Sequence, residues 1–410
     1  MNQIVTPDVE EQLQRSEETL ASLKRKHNLL KATMDALRAT AFSPAKVKRL
    51  ERTWGIEAAA RLIGRTPSTI RLYEKENDGF PVAERSKTGR RLGYTLDQIN
   101  AYRAIFDTAP GRQPEEEPCV LTFSNFKGGS GKSTVSCHFA QYLAIKGYRV
   151  LMIDCDPQGS SSVLFGVGAS LQNESDDDEF TLEDYLTGVD MEFKECIQPS
   201  YFPNIDLIPA DLGLFNAEYH LSSTITQDSE ALNLLKNGIR QVWHNYDVII
   251  LDPPPSLGLL SLNVLAAANA MVIPMRPGVL DFDSTKEFLE MTHDQLETMI
   301  NHGFPIHYNF QTIMINAMND NKSTHVEISD AMSQMLGKTD FLAATMKDTA
   351  ELENAAKQIK TVYELSEPTT SRGTYNRCVQ YLDAVNSHIE TNIRKTWPSQ
   401  RAALREEGLL

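Results

Sequence analysis

The sequence predicts an α/β protein in which a mostly parallel, doubly wound sheet is preceded by a smaller, basic, helical module. Two observations predict the sheet. Short apolar runs alternate with helix-length segments from Cys119 onward, and a glycine-rich loop stands between the first run and the next helical pattern. A third observation, a local excess of lysine and arginine before residue 104, sets the N-terminal part apart. We therefore expect two folded modules with different partners.

Length and composition are those of a globular protein with two or three domains, because 410 residues exceed one ordinary domain and 41% of them are hydrophobic. No stretch reaches the roughly 20 apolar residues of a membrane helix. The N-terminus lacks the basic and apolar regions of a signal peptide. The 5 cysteines are scattered, without a Cys-x-x-Cys pair, which argues against a disulfide framework, a zinc site or an iron–sulfur cluster. We expect a cytoplasmic protein without membrane contact.

The charge of the chain is unevenly distributed. The net charge of −15 disfavours nucleic acid as a partner when it is taken alone. Between Ser43 and Arg103, however, there are 13 lysines and arginines against 7 aspartates and glutamates, a local charge of +6 that leaves −21 for the other residues. This asymmetry predicts one basic module attached to an acidic body.

Residues 1–42 are predicted to contain a long amphipathic helix. Positions spaced alternately by three and four residues are mostly apolar and stand between charged neighbours. These positions are Val9, Leu13, Ser16, Leu20, Leu23, His27, Leu30, Met34 and Leu37. So narrow a seam is typical of a helix that pairs with a helix of a second subunit, which predicts a dimerisation segment. A helix that lies on its own domain is the alternative, because the seam is short and twice polar.

Residues 43–110 have the pattern of a winged helix-turn-helix module. Gly64 suits the end of one helix, Thr66 the N-cap of the next, and Pro67 its first position. Two short strands are expected around Lys87-Thr-Gly89, with another helix after them. The pattern resembles the MerR-like winged helix and predicts DNA contacts from the second helix and the wing. The candidate DNA-binding residues are Arg65, Ser68, Thr69, Arg71, Lys75, Lys87, Arg90 and Arg91. A helical hairpin without DNA contact is the alternative.

Residues 111–118 have the composition of an exposed linker, and residues 119–410 are predicted to form the sheet domain. Continuous apolar runs are the expected strands, since parallel strands are covered on both faces. They are Val120–Ser124, Arg149–Ile153, Ile205–Pro209, Val248–Leu251, Met271–Pro274 and Thr312–Ile315. An acidic insertion at residues 173–179 is expected as a surface loop.

A phosphate-binding loop, or P-loop, is predicted between the first strand and the following helix, where residues 127–134 read Lys-Gly-Gly-Ser-Gly-Lys-Ser-Thr. The glycines allow the backbone to approach phosphates, and the amide groups at the helix start bind anions. Lys132 would reach the β- and γ-phosphates of ATP, and the Ser133 hydroxyl would ligate Mg²⁺. The predicted nucleotide-binding residues are Lys127, Gly128, Gly129, Ser130, Gly131, Lys132, Ser133 and Thr134.

The loop departs from the ordinary pattern, because Phe126 stands where a glycine is expected and Lys127 adds a second lysine. In this form it resembles the deviant Walker A loop of the ParA/MinD family of dimerising ATPases. The segment Asp154-Cys-Asp-Pro-Gln158 resembles that family's first switch. Tyr246–Ser256, which contains Asp252, resembles its Walker B strand and the switch that follows.

This resemblance implies roles for further residues. Asp154 and Asp252, each at the end of a predicted strand, would support Mg²⁺, and Asp156 would orient the attacking water. Lys127 would contact the phosphates of the second subunit in an ATP-bound dimer. The implied catalytic residues are Lys127, Lys132 and Asp156. Asn316, at the end of the last predicted strand, resembles the position that contacts adenine, and a turn residue is the alternative there.

The basic module and the ATPase pattern together resemble the long ParA proteins of plasmid partition, most of all the ParA-type protein of RepABC plasmids. The resemblance covers about residues 45–397 and is carried by residues 125–132, 138–143, 199–210 and 382–386. It implies ATP-driven homodimerisation, non-specific DNA binding on the nucleoid, and operator binding for autorepression. It also implies a Mg²⁺-dependent conversion of ATP to ADP that is weak until DNA and a centromere-binding ParB partner stimulate it.

Three other functions share parts of this pattern. A MinD-like ATPase should end in an amphipathic membrane helix, but Pro398 interrupts a weakly apolar tail. A nitrogenase-reductase-like electron carrier needs cluster cysteines, and no plausible pair exists. A transcriptional repressor that senses ATP without a transport role would use the same winged helix, and it remains open.

Overall fold

The computed structural model describes residues 9–41, 48–77, 82–85, 87–89, 91–167, 180–225, 229–337 and 339–410. The acidic insertion predicted at residues 173–179 lies outside the described residues. Two compact units are distinguished, Met1–Arg49 and Leu50–Leu410. Within the described residues no helix is both long and apolar enough to cross a membrane.

The first unit contains one long helix, α1 (Val9–Ala41), which lies within the residues 1–42 that were predicted to contain a helix. Several leucines of the predicted seam are more than half exposed: Leu20 (66%), Leu23 (58%) and Leu30 (69%). An apolar seam that is left in water favours association with another surface.

The second unit begins with two short helices, a pair of short strands and a third helix. Its elements are α2 (Ile56–Ile63), α3 (Pro67–Glu76), β1 (Glu84–Arg85), β2 (Arg91–Gly93) and α4 (Leu96–Phe106). Gly64 adopts a left-handed conformation after α2, with φ at +72°, which a glycine tolerates without steric cost. The Thr66 hydroxyl caps α3 by accepting a hydrogen bond from the Thr69 amide, and β1 pairs antiparallel with β2. The local signals in the sequence therefore predicted these elements correctly.

The remainder of this unit is built on a sheet that confirms the predicted class. Its strands are β3 (Cys119–Phe123), β4 (Val150–Asp154), β5 (Gln198–Pro199), β6 (Ile205–Ile208), β7 (Val248–Asp252), β8 (Ala270–Met275) and β9 (Phe310–Ile315). Their order is β5-β6-β4-β7-β3-β8-β9, and the pairs are parallel except β5 with β6. The predicted strands agree to within two residues, whereas the two-residue strand β5 was not predicted because it carries no apolar run.

Helices cover both faces of this sheet. They are α5 (Lys132–Lys146), α6 (Ser160–Leu164), α7 (Leu182–Leu186), α8 (Leu214–Thr224), α9 (Leu234–Val242), α10 (Leu259–Ala267), α11 (Val279–Asn301), α12 (Ser323–Met335), α13 (Ala350–Lys357), α14 (Arg372–Thr396) and α15 (Arg401–Glu406). Short 3₁₀ helices lie at Phe193–Cys196, Ser229–Asn233, Trp243–Asn245, Val362–Glu364 and Pro398–Gln400. Leu121 and Phe123 of β3 enter a core with α5 and α14, while Val120 enters the opposite core with α8 to α10. Because the central strands are parallel, their carboxyl ends share one edge, where loops can form a site.

The segment predicted as an exposed linker is partly buried, which corrects that expectation. Arg112 is only 8% exposed. Its guanidinium donates hydrogen bonds to the Tyr246 and Trp243 carbonyls, both at 3.0 Å. Gly111 has φ at +148°, and a Cβ atom there would lie 2.8 Å from Asp247 Oδ1. A composition rich in proline and glutamate gave no sign of these contacts, because their acceptors lie more than a hundred residues away.

A buried arginine joins α4 to the sheet domain. Arg103 of α4 is 2% exposed, and burial lowers its pKa to about 10. It donates to the Leu62 carbonyl at 3.0 Å, to Asn100 Oδ1 at 2.8 Å, and to the Ile145 carbonyl of α5 at 2.7 Å. Residues 50–107 are therefore packed against the sheet domain and form one compact unit with it.

We expect Arg103→Met to lower the free energy of unfolding by roughly 2–5 kcal/mol, because two partly buried carbonyl groups lose their donor. Urea unfolding followed by circular dichroism measures the change. Arg61→Met is the matched control, since Arg61 is exposed on α2 and should change stability by less than about 0.5 kcal/mol. Equal unfolding midpoints for the two variants would contradict the role given to Arg103.

Candidate functional site

The glycine-rich loop connects β3 to α5 at the carboxyl edge of the sheet. Gly129 and Gly131 have φ at +77° and +90°, and Gly131 is the N-cap of α5. The Asn316 amide donates to the Ser130 carbonyl at 2.6 Å, and a Cβ atom at Gly131 would collide with that amide nitrogen. Only glycine fits where two chain segments approach so closely. Gly128 and Gly129 are exposed.

The first turn of α5 brings the predicted phosphate-binding side chains together. Lys132 is buried, at 7% exposure. Burial lowers its pKa, and the charges of Asp252 and Asp156 oppose that effect. Ser133 follows and is half-buried, whereas Thr134 is exposed. A buried cation beside the free amides of a helix start is an anion-binding arrangement.

Two carboxylates lie side by side at the ends of neighbouring strands. Asp154 of β4 stands opposite Asp252 of β7 in the parallel register, and both are completely buried. Burial raises the pKa of Asp154, and the neighbouring Asp252 raises it further. Burial also raises the pKa of Asp252, which the hydroxyls of Ser161 and Ser133 and the charge of Lys132 oppose. Two buried carboxylates without a cation are costly, so this pair indicates a site that receives positive charge.

The donor set around Asp252 fits Mg²⁺. Its Oδ1 atom is buried and has no hydrogen-bond partner among the described residues, and Ser133 is close enough to lower its pKa. Carboxylate and hydroxyl oxygens are the ligands that Mg²⁺ prefers. Asp154 differs, since its Oδ2 accepts from the Ser162 amide and hydroxyl and its Oδ1 from the Asp156 amide. Asp154 is therefore held by its own loop, and Asp252 offers the available oxygen.

Asp156 lies in the loop after β4. Its amide donates to Asp154 at 3.1 Å, and its Oδ1 accepts from the Gln158 amide at 3.0 Å. It lines a cavity of about 520 Å³ that is bounded by the loops after β4 and β7 and by α8. The residues that line the cavity include Pro157, Gln158, Phe215, Glu218, Pro254, Ser256 and Leu257. The hydrogen bond to Gln158 thus fixes the orientation of the Asp156 carboxylate, and the cavity lies next to this residue.

The chain is similar to known proteins in sequence and in fold. Residues 119–304 match a family model described as an AAA domain. The chain is 31% identical over 399 residues to a protein assigned as replication protein A in Rhizobium rhizogenes, covering 92% of this chain and 95% of the relative. It is 30% identical over 362 residues to protein SopA of Escherichia coli K12, covering 86% and 91%. A solved partition protein shares the fold, with a TM-score of 0.63, 18% identity, and coverage of 91% of this chain and 98% of that one.

The chain belongs to the ParA family of partition ATPases.

The second lysine of the ParA-type loop is bound within its own chain. Lys127 Nζ lies 2.8 Å from Asp281 Oδ1 in the first turn of α11, and about a third of the lysine side chain is exposed. The Lys127 amide donates to Asn125 Oδ1 at 3.1 Å. Asn125 in turn donates to the Pro274 carbonyl at 2.9 Å. The loop is therefore fastened to β8 and α11.

Asn316, which resembles the adenine-contacting position of ParA proteins, is hydrogen-bonded to the P-loop. Asn316 donates to the Ser130 carbonyl, and its Oδ1 accepts from the Ala317 amide at 2.9 Å. Ala317 has φ at +54°, so the chain does turn directly after β9. The side-chain amide of Asn316 therefore both donates and accepts a hydrogen bond within the chain. Because a side-chain amide has two N–H groups, the second N–H group can donate to a ligand.

Some of the predicted DNA-binding residues are exposed, and others are hydrogen-bonded within the chain. Arg71 and Lys75 of α3 and Lys87, between β1 and β2, are exposed. Ser68 and Thr69 bond to the Thr66 hydroxyl at 2.8 Å. Arg65 donates to the Gly64 and Phe106 carbonyls and lies over the Phe106 ring. Arg90 lies outside the described residues, and the backbone of Arg91 forms part of β2.

Sequence reasoning missed several residues that the structure places at the site. Ser161 donates to Asp252 Oδ2 at 2.6 Å, and Ser162 donates to Asp154 Oδ2 at 2.7 Å. Their position directly after the first switch was an available signal, although serines are too common to stand out. Asp281 had no signal, because it lies in a different element far along the chain.

Proposed function

We propose that the chain is an ATP-dependent DNA-partition switch. ATP drives dimerisation and non-specific DNA binding on the nucleoid, and a centromere-binding ParB-type partner stimulates hydrolysis to ADP and so releases the DNA. The winged-helix module binds operator DNA for autorepression. One observation carries the proposal: Lys132, Ser133 and the available oxygen of Asp252 meet at the start of α5. Membership in the ParA family supports the rest.

The residues of the P-loop would bind the triphosphate. Amide groups of residues 128–134 donate to phosphate oxygens, and Lys132 compensates the charge of the β- and γ-phosphates. Mg²⁺, held by Ser133 and Asp252 with Asp154 in support, would neutralise charge that develops on the phosphates. Asp156 would orient the attacking water from beside the cavity that it lines. Asn316 would hold the P-loop and reach adenine with its remaining N–H group.

Lys127 would act in the second subunit. Its present partner, Asp281, is exchanged for the other subunit's phosphates when two ATP-bound subunits meet, because a triphosphate carries more negative charge than one carboxylate. The partly exposed ion pair is a weak one, which permits this exchange. The helix α1 would contribute a second, nucleotide-independent contact between subunits through its exposed leucines.

We expect Lys127→Ala to bind ATP but to lose hydrolysis and ATP-dependent dimerisation, because the P-loop keeps Lys132 while the second subunit loses its cation. Sedimentation velocity and phosphate release measure the two effects, in variants that lack residues 1–40 so that α1 does not mask the result. Lys286→Ala is the matched control, since Lys286 also pairs with carboxylates of α11 and is exposed. If Lys127→Ala forms the ATP-bound dimer and hydrolyses ATP as the unaltered protein does, Lys127 has no role in either step.

The DNA activities are tested by binding to DNA from upstream of its own gene and to random duplexes, with ATP, ADP or no nucleotide, at several salt concentrations. Binding to random DNA should require ATP and should weaken steeply with salt, because the contacts are to phosphates. Arg71→Ala should weaken operator binding by about 1–3 kcal/mol and leave random DNA nearly unchanged. A point substitution is preferable to truncation. Removing the N-terminal module would also remove Arg103, which is buried and donates a hydrogen bond to the Ile145 carbonyl of the sheet domain. Equal affinity for random DNA with ATP, with ADP and without nucleotide would refute the proposal that ATP controls DNA binding.

A further inference from the structure

Two consecutive serines at the start of α6 each hold one of the paired carboxylates. Ser161 donates to Asp252 Oδ2, and Ser162 donates to Asp154 Oδ2 through its amide and its hydroxyl. Both serines are completely buried. They directly follow the loop that carries Asp156, so one short helix holds the ends of both β4 and β7.

The hydrogen bonds of Ser161 have a defined direction. A serine hydroxyl has one proton to donate, and the 2.6 Å contact with the Asp252 carboxylate uses it. The oxygen of Ser161 then accepts from Cys137 Sγ of α5 at 3.3 Å. The chain of bonds therefore runs from α5 through α6 to β7 and ends on Oδ2 of Asp252. Oδ1 of the same carboxylate is buried and has no hydrogen-bond partner among the described residues.

We propose that Ser161 is a positioning residue for the magnesium site: its bond to Oδ2 orients the Asp252 carboxylate and reserves Oδ1 for the metal ion. This inference rests on the proposed function of the site in binding Mg²⁺ and ATP. Groups that orient a metal-ligating carboxylate contribute to metal affinity without touching the metal. Ser162 has a different task, since its hydroxyl also accepts from the Ala210 amide at 2.9 Å and so fastens Asp154 to the chain after β6.

The position of Ser161 also links the two switch segments. Asp156 stands in the loop before α6, and Asp252 is the last residue of β7, directly before the loop that follows this strand.

The test measures Mg²⁺ affinity directly, with Mn²⁺ as the probe. Binding of Mn²⁺ to the full chain saturated with ADP is followed by electron paramagnetic resonance, and ADP binding is measured by calorimetry with Mg²⁺ and with a chelator. Ser161→Ala should weaken Mn²⁺ binding by about 10–100-fold and leave ADP binding in chelator unchanged. Ser160→Ala is the matched control, because Ser160 is exposed in the same turn and should behave as the unaltered protein.

The outcomes separate this inference from the function on which it rests. If the unaltered protein binds ADP equally with Mg²⁺ and with chelator, the magnesium site itself is wrong. If ADP binding by the unaltered protein depends on Mg²⁺ but Ser161→Ala retains full Mn²⁺ affinity, the inference about Ser161 is wrong and the magnesium site is still supported. Should Ser161→Ala fail to fold, Cys137→Ala takes its place: it removes the thiol donor behind Ser161 and should weaken Mn²⁺ binding to a smaller degree. Full Mn²⁺ affinity in Cys137→Ala would then overturn the proposal.

Discussion

Lys132→Ala should weaken ATP binding by at least about 100-fold while the protein stays folded. Each hydrogen bond from a cation to a phosphate contributes about 1.5–3 kcal/mol, and a tenfold change in affinity corresponds to about 1.4 kcal/mol. Lys132 is buried at the site. Burial lowers its pKa, and the charges of Asp252 and Asp156 oppose that effect. The cost of burying the lysine charge and its attraction to the two carboxylates therefore offset each other in the unliganded protein, so we expect Lys132→Ala to remain folded. Calorimetric titration with ATP and thermal unfolding measure the two effects.

Lys146→Ala is the control for this prediction. Lys146 lies in the last turn of the same helix and is exposed, so its loss removes an equal charge at the opposite end of α5. We expect its ATP affinity to be unchanged. Near-normal ATP affinity in Lys132→Ala would remove the basis for the P-loop assignment.

Asp156→Ala should bind ATP and lose about 10²–10⁴ in the rate of hydrolysis, the usual cost of losing a positioned base or water-orienting group. Lys132, Ser133 and Asp252 remain in place, so the affinity for ATP is retained. On the proposed function, the protein should accumulate as an ATP-bound dimer on non-specific DNA that does not respond to a ParB-type partner. That DNA binding should still weaken steeply with salt, because its contacts are to phosphates.

Asp156→Asn separates chemistry from loop geometry. The Asp156 carboxylate accepts from the Gln158 amide, and an asparagine oxygen at this position keeps that bond but lacks the charge. Both variants should therefore lose hydrolysis, measured in a single turnover, and both should dissociate slowly from DNA after ATP is removed. Hydrolysis at the unaltered rate, or failure to bind ATP with Mg²⁺, would show that the roles given to Asp154 and Asp156 are wrong.

The local pattern of residues was sufficient for the fold class and for most elements. Apolar runs identified the parallel strands to within two residues. Gly64 and Thr66 marked the end of α2 and the start of α3, since a left-handed glycine and a capping hydroxyl act on their immediate neighbours. Strand ends also placed Asp154 and Asp252 at one edge, because parallel strands share the direction of their carboxyl ends. Each of these inferences depends on contacts close in sequence or on a general rule of sheet geometry.

Tertiary packing alone decided the partners of the functional side chains. It buried Arg112 in a segment that looked like an exposed linker, paired Lys127 with Asp281, and set Ser161 against Asp252. These partners come from elements that are distant in the chain, so no spacing along the sequence links them. A carboxylate's pKa and its available oxygen depend on what the folded protein brings within a few ångströms of it, and that proximity exists only after the sheet and its helices have packed.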